Sequence, residues 1–196
     1  GVPRVASFPQ LPDNGCRMFS PIGAPVIPMA QPLVLASGSE TRARLLRAAG
    51  LRIEVTPARI DEPALRASLA AEDASPREVA DALAEMKARR ISDKHPGRLV
   101  LGADQVLEHR GEILGKPDAR AAARDQLTRL RGDRHLLLSA AVVCRDAEPL
   151  WRHVGVARMA MRDFSDAYLD AYLDRNWPDV GTSAGAYRLE EEGARL

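Results

Sequence analysis

The chain is constrained first by short apolar runs that stop abruptly at small and polar residues. Leu33-Val34-Leu35-Ala36 lies between Pro32 and Ser37-Gly38-Ser39, and Leu99-Val100-Leu101 runs into Gly102-Ala103-Asp104. Runs this short read as strands buried on both faces, since such strands have no polar side to show. Ile53 to Thr56 is a third candidate, while His135 to Cys144 and Trp151 to Met161 are longer ones. Val106 to Leu114 folds back around Gly111 as a hairpin.

Helix patterns alternate with these strands. Glu40 to Ala49 carries Leu45, Leu46 and Ala49 as its apolar stripe and ends at Gly50. Ser75-Pro76-Arg77-Glu78 is a capping box with proline at the first helical position, opening a helix to about Ile91 with Val79, Leu83 and Met86 inward. Asp118 caps a helix to about Arg131, with Gly132 as its stop, and Ser165 caps another through Arg175. Ala184 to Leu189 reads as short and extended. Strands alternating with helices specify α/β, and the hairpin makes the central sheet mixed, with helices flanking it.

Composition removes several functions. A net charge of +1 and 4% aromatic residues do not suit a nucleic-acid surface. No run approaches the roughly 20 apolar residues needed to cross a bilayer, so no membrane partner is expected and a cytoplasmic location is. Cys16 and Cys144 have no metal-ligand spacing, and Cys144 reads as a small buried hydrophobe. Residues 1–32 are rich in Pro and Gly without helical or strand period, and read as a disordered extension with Met29 a plausible natural start. Residues 33–196 form the folded domain.

Four places hold candidate chemistry. Ser37-Gly38-Ser39-Glu40-Thr41-Arg42 sits where a strand enters a helix, and free backbone N–H groups there suit a phosphate. The alternative is that Ser39 only caps the helix while Arg42 and Arg44 are solvated. Asp61-Glu62 lies in an irregular stretch, where an acid pair is usually plain surface. Lys87, mid-helix, is by itself a surface lysine. Asp104 follows an apolar strand with Gly102 and Ala103 leaving room around it, the place where ligands gather in open α/β sheets. A carboxylate there suits a divalent cation or the activation of water. Gly115-Lys116-Pro117 adds a lysine on a rigid turn. His95, His109, His135 and His153 show no zinc spacing and no nucleophile partner, His135 reading as structural, and no G-x-S-x-G elbow is present. Two acids, two lysines, an arginine and a helix-end anion site together are what triphosphate cleavage requires.

In this order the motifs resemble the Maf family of nucleotide pyrophosphatases. The resemblance rests on Leu33 to Ser39 with Arg42, Leu45 and Leu46, then Asp61-Glu62, the Lys87 helix, Gly102-Ala103-Asp104-Gln105, Gly115-Lys116-Pro117 and Ala184-Gly185-Ala186-Tyr187. It implies two lobes around a deep cleft, related to inosine triphosphate pyrophosphatases, and hydrolysis of a nucleoside triphosphate between its α and β phosphates. It also implies a divalent metal, Mg²⁺ or Mn²⁺, and a homodimer. By position, Ser37, Ser39 and Arg42 would bind phosphate. Glu62 and Asp104 would hold the metal and orient or deprotonate the attacking water, and Lys87 and Lys116 would neutralise the triphosphate. Members acting on dTTP and UTP usually carry Thr after the strand-end Asp, and Gln in the carboxy-terminal segment. Gln105 and Glu190 stand there instead, which resembles the branch acting on 7-methyl-GTP. The alternatives are the dTTP/UTP activity and a non-catalytic nucleotide-binding regulator of cell division. The family usually has Pro in place of Glu40 and a basic or aromatic residue in place of Thr41. It also continues into a further strand and helix with a Gly-Leu-Pro motif, so the domain is expected to be truncated at Leu196, or this copy to be degenerate.

Overall fold

The computed structural model describes residues 31–196; the extension up to residue 30, with Cys16 and Met29, lies outside the described residues. The elements run β1 (Leu33–Leu35), α1 (Glu40–Ala48), β2 (Ile53–Val55), α2 (Glu62–Ala71), α3 (Pro76–Ser92), β3 (Val100–His109), β4 (Glu112–Leu114), α4 (Arg120–Leu130), β5 (Arg134–Arg145), β6 (Glu148–Ala160) and α5 (Asp166–Asn176). The six strands form one sheet in the order β2-β1-β3-β5-β6, with β4 on β3. β1 pairs parallel with β2 and β3, and the β3–β4, β3–β5 and β5–β6 pairs are antiparallel. This is the mixed sheet expected from strands that alternate with helices and then meander.

Side-chain alternation along β3 and β5 sends apolar residues to both faces. On one face Val106, Leu138, Ala140 and Val142 pack with Val79, Leu83 and Ala84 of α3. On the other, Leu107 and Leu137 pack with Leu127 of α4 and Leu169 and Leu173 of α5. Cys144 is fully buried as a free thiol, and burial raises its pKa.

The inward residues of α3 correct one expectation. The buried positions are Val79, Ala80, Leu83, Ala84, Lys87, Ala88, Ile91 and Ser92, whereas Met86 is 44% exposed. A four-residue step from Leu83 lands on Lys87, and the stripe keeps that step. In α1 only Ala43 is buried, while Leu45 is 62% exposed and Ala49 is exposed too. Little of the helix beyond Ala43 is covered by the rest of the fold, so its other apolar residues stay outside the core. α4 is capped at Ala119 without a side-chain bond, not by Asp118. The segment expected to be extended from Ala184 begins instead as a 3-10 turn over Ala184–Ala186.

What places the site is a change of partner along β3. β1 accompanies it only through Leu101, and β4 joins it from Leu107 onward. Between these points, among the described residues, no strand pairs with that edge. Asp104 lies in this gap. It sits within a ten-residue strand, not just beyond a short one as the sequence suggested, because pairing with β5 carries the strand on without a break.

Candidate active site

The site is built from α3 lying unusually close to β3. A Cβ on Gly102 would come 2.0 Å from the Ala84 carbonyl oxygen and 2.7 Å from the Ala88 nitrogen. Only glycine permits that approach. One helical turn on from Ala84, it brings Lys87 over Asp104, which shares a face of β3 with Gly102. The Lys87 ammonium donates to Asp104 Oδ1 at 2.7 Å and lies 2.7 Å from Glu62 Oε1. Lys87, a surface lysine when taken alone, is 8% exposed and Asp104 6%. A buried ammonium between two carboxylates is the arrangement that burial demands of such a charge.

Glu62 reaches this pair because the stretch around it is not irregular. Asp61 is the N-cap of α2 and accepts from the Ala64 N–H at 3.0 Å. Glu62 opens the helix and Arg66 follows one turn later, with Nη2 3.5 Å from Asp104 Oδ2. Sequence reasoning missed Arg66 because it missed the helix. The signal was present in an Asp that can cap, followed two residues later by Pro63 in the first turn.

Electrostatics tie the cluster together. Partial burial pushes the Glu62 pKa up, but the Lys87 hydrogen bond and the charges of Lys87, Lys116 and Arg66 outweigh it, and the net shift is down. Lys116 therefore acts on the cluster although it is exposed. At the amino end of α1, Ser39 accepts from the Arg42 N–H, as a cap does. The Arg42 side chain turns back and donates to Ser37 Oγ at 2.9 Å. Burial lowers the guanidinium's pKa against the pull of Asp104 and Glu62. Among the described residues Arg42 has no ion-pair partner within 4 Å, so it is a desolvated cation held by one hydroxyl. A phosphate oxygen is the partner such a group lacks.

Six ionisable side chains thus converge. Four are cations (Arg42, Arg66, Lys87, Lys116) and two are carboxylates, leaving a formal surplus of two positive charges. That surplus suits a polyphosphate that keeps net negative charge after taking up one divalent cation.

The Maf-like protein family profile matches residues 32–196. The chain belongs to the Maf family. A nucleoside triphosphate pyrophosphatase of Roseobacter denitrificans is 59% identical over 168 residues, covering 86% of this chain and 84% of its own. One from a Ruegeria species is 55% identical over the same lengths. Among solved structures, a HAM1 protein from Coxiella burnetii is 18% identical, covers 65% of this chain and 71% of its own, and has a TM-score of 0.43.

In this Maf chain Gln105 and Glu190 stand apart from the cluster. Gln105 follows Asp104 and so points to the opposite face of β3, where it donates to Ser139 Oγ of β5 at 3.0 Å. Glu190 is exposed on a turn before the last 3-10 segment. His135, expected to be structural, is buried and shares a 2.6 Å hydrogen bond with the Tyr187 hydroxyl, tying the Ala184–Tyr187 segment to β5. Among the described residues no group of three or more His, Cys, Asp or Glu could hold a metal by itself, and no helix is long and apolar enough to cross a membrane.

Two carboxylates nevertheless fit a hard cation that keeps waters and shares phosphate oxygens. Asp104 Oδ2 is buried and accepts no hydrogen bond. Arg66 faces it at 3.5 Å, an ion-pair distance too long to count as a hydrogen bond. Such an oxygen is open to a cation or a water.

Proposed function

We propose that the chain hydrolyses nucleoside triphosphates at the α–β phosphate bond, releasing the monophosphate and pyrophosphate. The observation that carries this reading is the Lys87 ammonium 2.7 Å from both Glu62 and Asp104, with Arg42, Arg66 and Lys116 around it. The names of the relatives point the same way. Ser37, Ser39, Arg42 and the helix end behind them hold one end of the polyphosphate. Lys87 and Lys116 face the charge that grows on the departing pyrophosphate. Glu62 and Asp104 would hold a Mg²⁺ or Mn²⁺ ion and orient the attacking water. Bound there, the cation supplies charge neutralisation on the phosphate oxygens and lowers the pKa of water. Water attacks the α phosphorus, the bond to the bridging oxygen breaks, and pyrophosphate leaves with that oxygen. The proton of the water passes to a carboxylate.

For the base, we read 7-methyl-GTP as the preferred substrate. N7-methylation puts a positive charge on guanine, and a carboxylate such as Glu190 favours it over GTP. This base preference rests on the family resemblance at Gln105 and Glu190, which stand apart from the charged cluster. From the family resemblance alone we read the enzyme as a cytoplasmic homodimer.

Pyrophosphate release with Mg²⁺ from 7-methyl-GTP, GTP, dTTP, UTP and ITP tests the reading, beside Asp104→Asn as control. Turnover led by 7-methyl-GTP and lost in Asp104→Asn is expected. Turnover led by dTTP or UTP would retain the chemistry and refute the base. Nucleotide binding without any release, by folded protein at saturating Mg²⁺, would refute the enzyme and leave a binding protein.

A further inference from the structure

Arg66 makes a weaker contact than its surroundings lead one to expect. Several guanidinium–carboxylate pairs on the fold close to 2.6 Å, as in Arg152–Asp81 and Arg131–Asp166. At Asp104 the pair stands at 3.5 Å, although the carboxylate side chain is only 7% exposed. The facing Oδ2 has no hydrogen bond at all, while Oδ1 receives Lys87 at 2.7 Å. A buried carboxylate oxygen left without a hydrogen bond is unfavourable, and a guanidinium with free N–H groups could satisfy it. It does not. Arg66 is also within reach of solvent. Its side chain is 30% exposed, and it rides on a helix with no fully buried residue.

We propose that Arg66 is an exchange counter-ion. It covers Asp104 Oδ2 while the site lacks nucleotide, and it transfers to the polyphosphate when a nucleotide arrives with its divalent cation. The proposal rests on the pyrophosphatase reading for the identity of the incoming anion. Without nucleotide the site already carries two surplus positive charges, so a lone divalent cation meets repulsion. With polyphosphate present, Arg66 gains a partner whose oxygens match its planar fork. Oδ2 is then released to the cation. Arg66 is thereby the residue through which cation and nucleotide each strengthen the other's binding, a coupling that must be reciprocal.

The test uses the full chain, with Mn²⁺ binding followed by electron paramagnetic resonance in the absence of nucleotide. Wild type is compared with Arg66→Ala and Arg66→Lys, all three checked for folding by circular dichroism. Arg66→Ala should bind Mn²⁺ about tenfold more tightly than wild type, the size of an ordinary coupling between sites. Arg66→Lys, which keeps the charge, should stay near wild type in Mn²⁺ affinity. Both variants should raise KM for the nucleotide, since neither retains the fork. A merely structural Arg66 would change melting temperature and leave Mn²⁺ affinity the same or weaker, and that result would overturn the proposal. Because the Mn²⁺ measurement needs no turnover, a wild type that releases no pyrophosphate would sink the pyrophosphatase reading alone. The exchange at Asp104 would then be decided by Mn²⁺ affinity.

Discussion

Gly102→Ala is the smallest change that should break the site without touching a charged residue. The added methyl would lie 2.0 Å from the Ala84 carbonyl oxygen, 2.7 Å from the Ala88 nitrogen and 2.8 Å from the Ala88 Cβ. Carbon and oxygen not bonded to one another ordinarily approach no closer than about 3.3 Å. The obstacle is helix backbone, so no side chain can swing away, and α3 must back off β3 by about 1 Å or more. Overpacking of this kind costs about 1–3 kcal/mol. The upper figure applies here because α3 also packs against β5 through Leu138, Ala140 and Val142. For a domain of this length that corresponds to a fall of about 6–12 °C in Tm. Lys87 is carried away with the helix, and its 2.7 Å contacts to Asp104 and Glu62 lengthen together. A misplacement of about 1 Å can cost about a hundredfold in rate. Thermal unfolding by circular dichroism and pyrophosphate release, measured on one preparation, read both effects. If Gly102→Ala melts within about 2 °C of wild type and keeps its rate, close helix–strand contact is not what positions Lys87.

Lys87→Met should cost about 3 kcal/mol, toward the lower end for breaking a buried pair because Glu62 can still reach water. Combining it with Asp104→Asn should recover part of that loss in a double-mutant cycle read by urea unfolding. The Glu62 pKa lies below its ordinary value of 4.5, so its contribution to stability is complete above that pH. That contribution is lost as pH falls through the lower folded-state value. Glu62→Gln should flatten the stability profile in this acid window and nowhere near neutrality. Met86→Gln should be nearly neutral, within about 0.5 kcal/mol, whereas Leu83→Ala should cost about 2–5 kcal/mol. The reverse order in chemical denaturation would restore Met86 to the core.

The parts of this fold that were legible in the sequence are those fixed locally. The capping box at Ser75 is present with both of its hydrogen bonds. The cap at Ser39 is in place, as is the hairpin turn at Gly111, whose φ of 84° suits glycine. The errors arose where an element's partners decide the outcome. β3 reads as three apolar residues because Gly102, Ala103 and Asp104 are poor strand formers. Pairing with β5 along its length overrides that preference. α1 has a good apolar stripe, but the sheet beneath offers room for little more than Ala43. α2 has no fully buried residue, so the usual mark of a helix, an inward stripe, was faint and only the cap betrayed it.

The same limit explains which site residues were visible. Asp104 stands out because small neighbours and an apolar run frame it in one short stretch of sequence. Lys87 does not, for the information that distinguishes it from a surface lysine is that it interrupts a buried stripe at a four-residue step. A charge in such a position is tolerated only if opposite charge is waiting for it. Its presence there is therefore a statement about two carboxylates elsewhere in the chain. Lys87 satisfies them without nucleotide, but with one ammonium for two carboxylates it leaves Asp104 Oδ2 unsatisfied. A site held together by an internal cation that leaves one carboxylate oxygen without a hydrogen bond is stable enough to fold and, once a polyphosphate offsets its surplus positive charge, able to take a second cation. Chemistry at a phosphorus atom needs both properties, and an all-apolar pocket or a fully paired salt bridge would supply only the first.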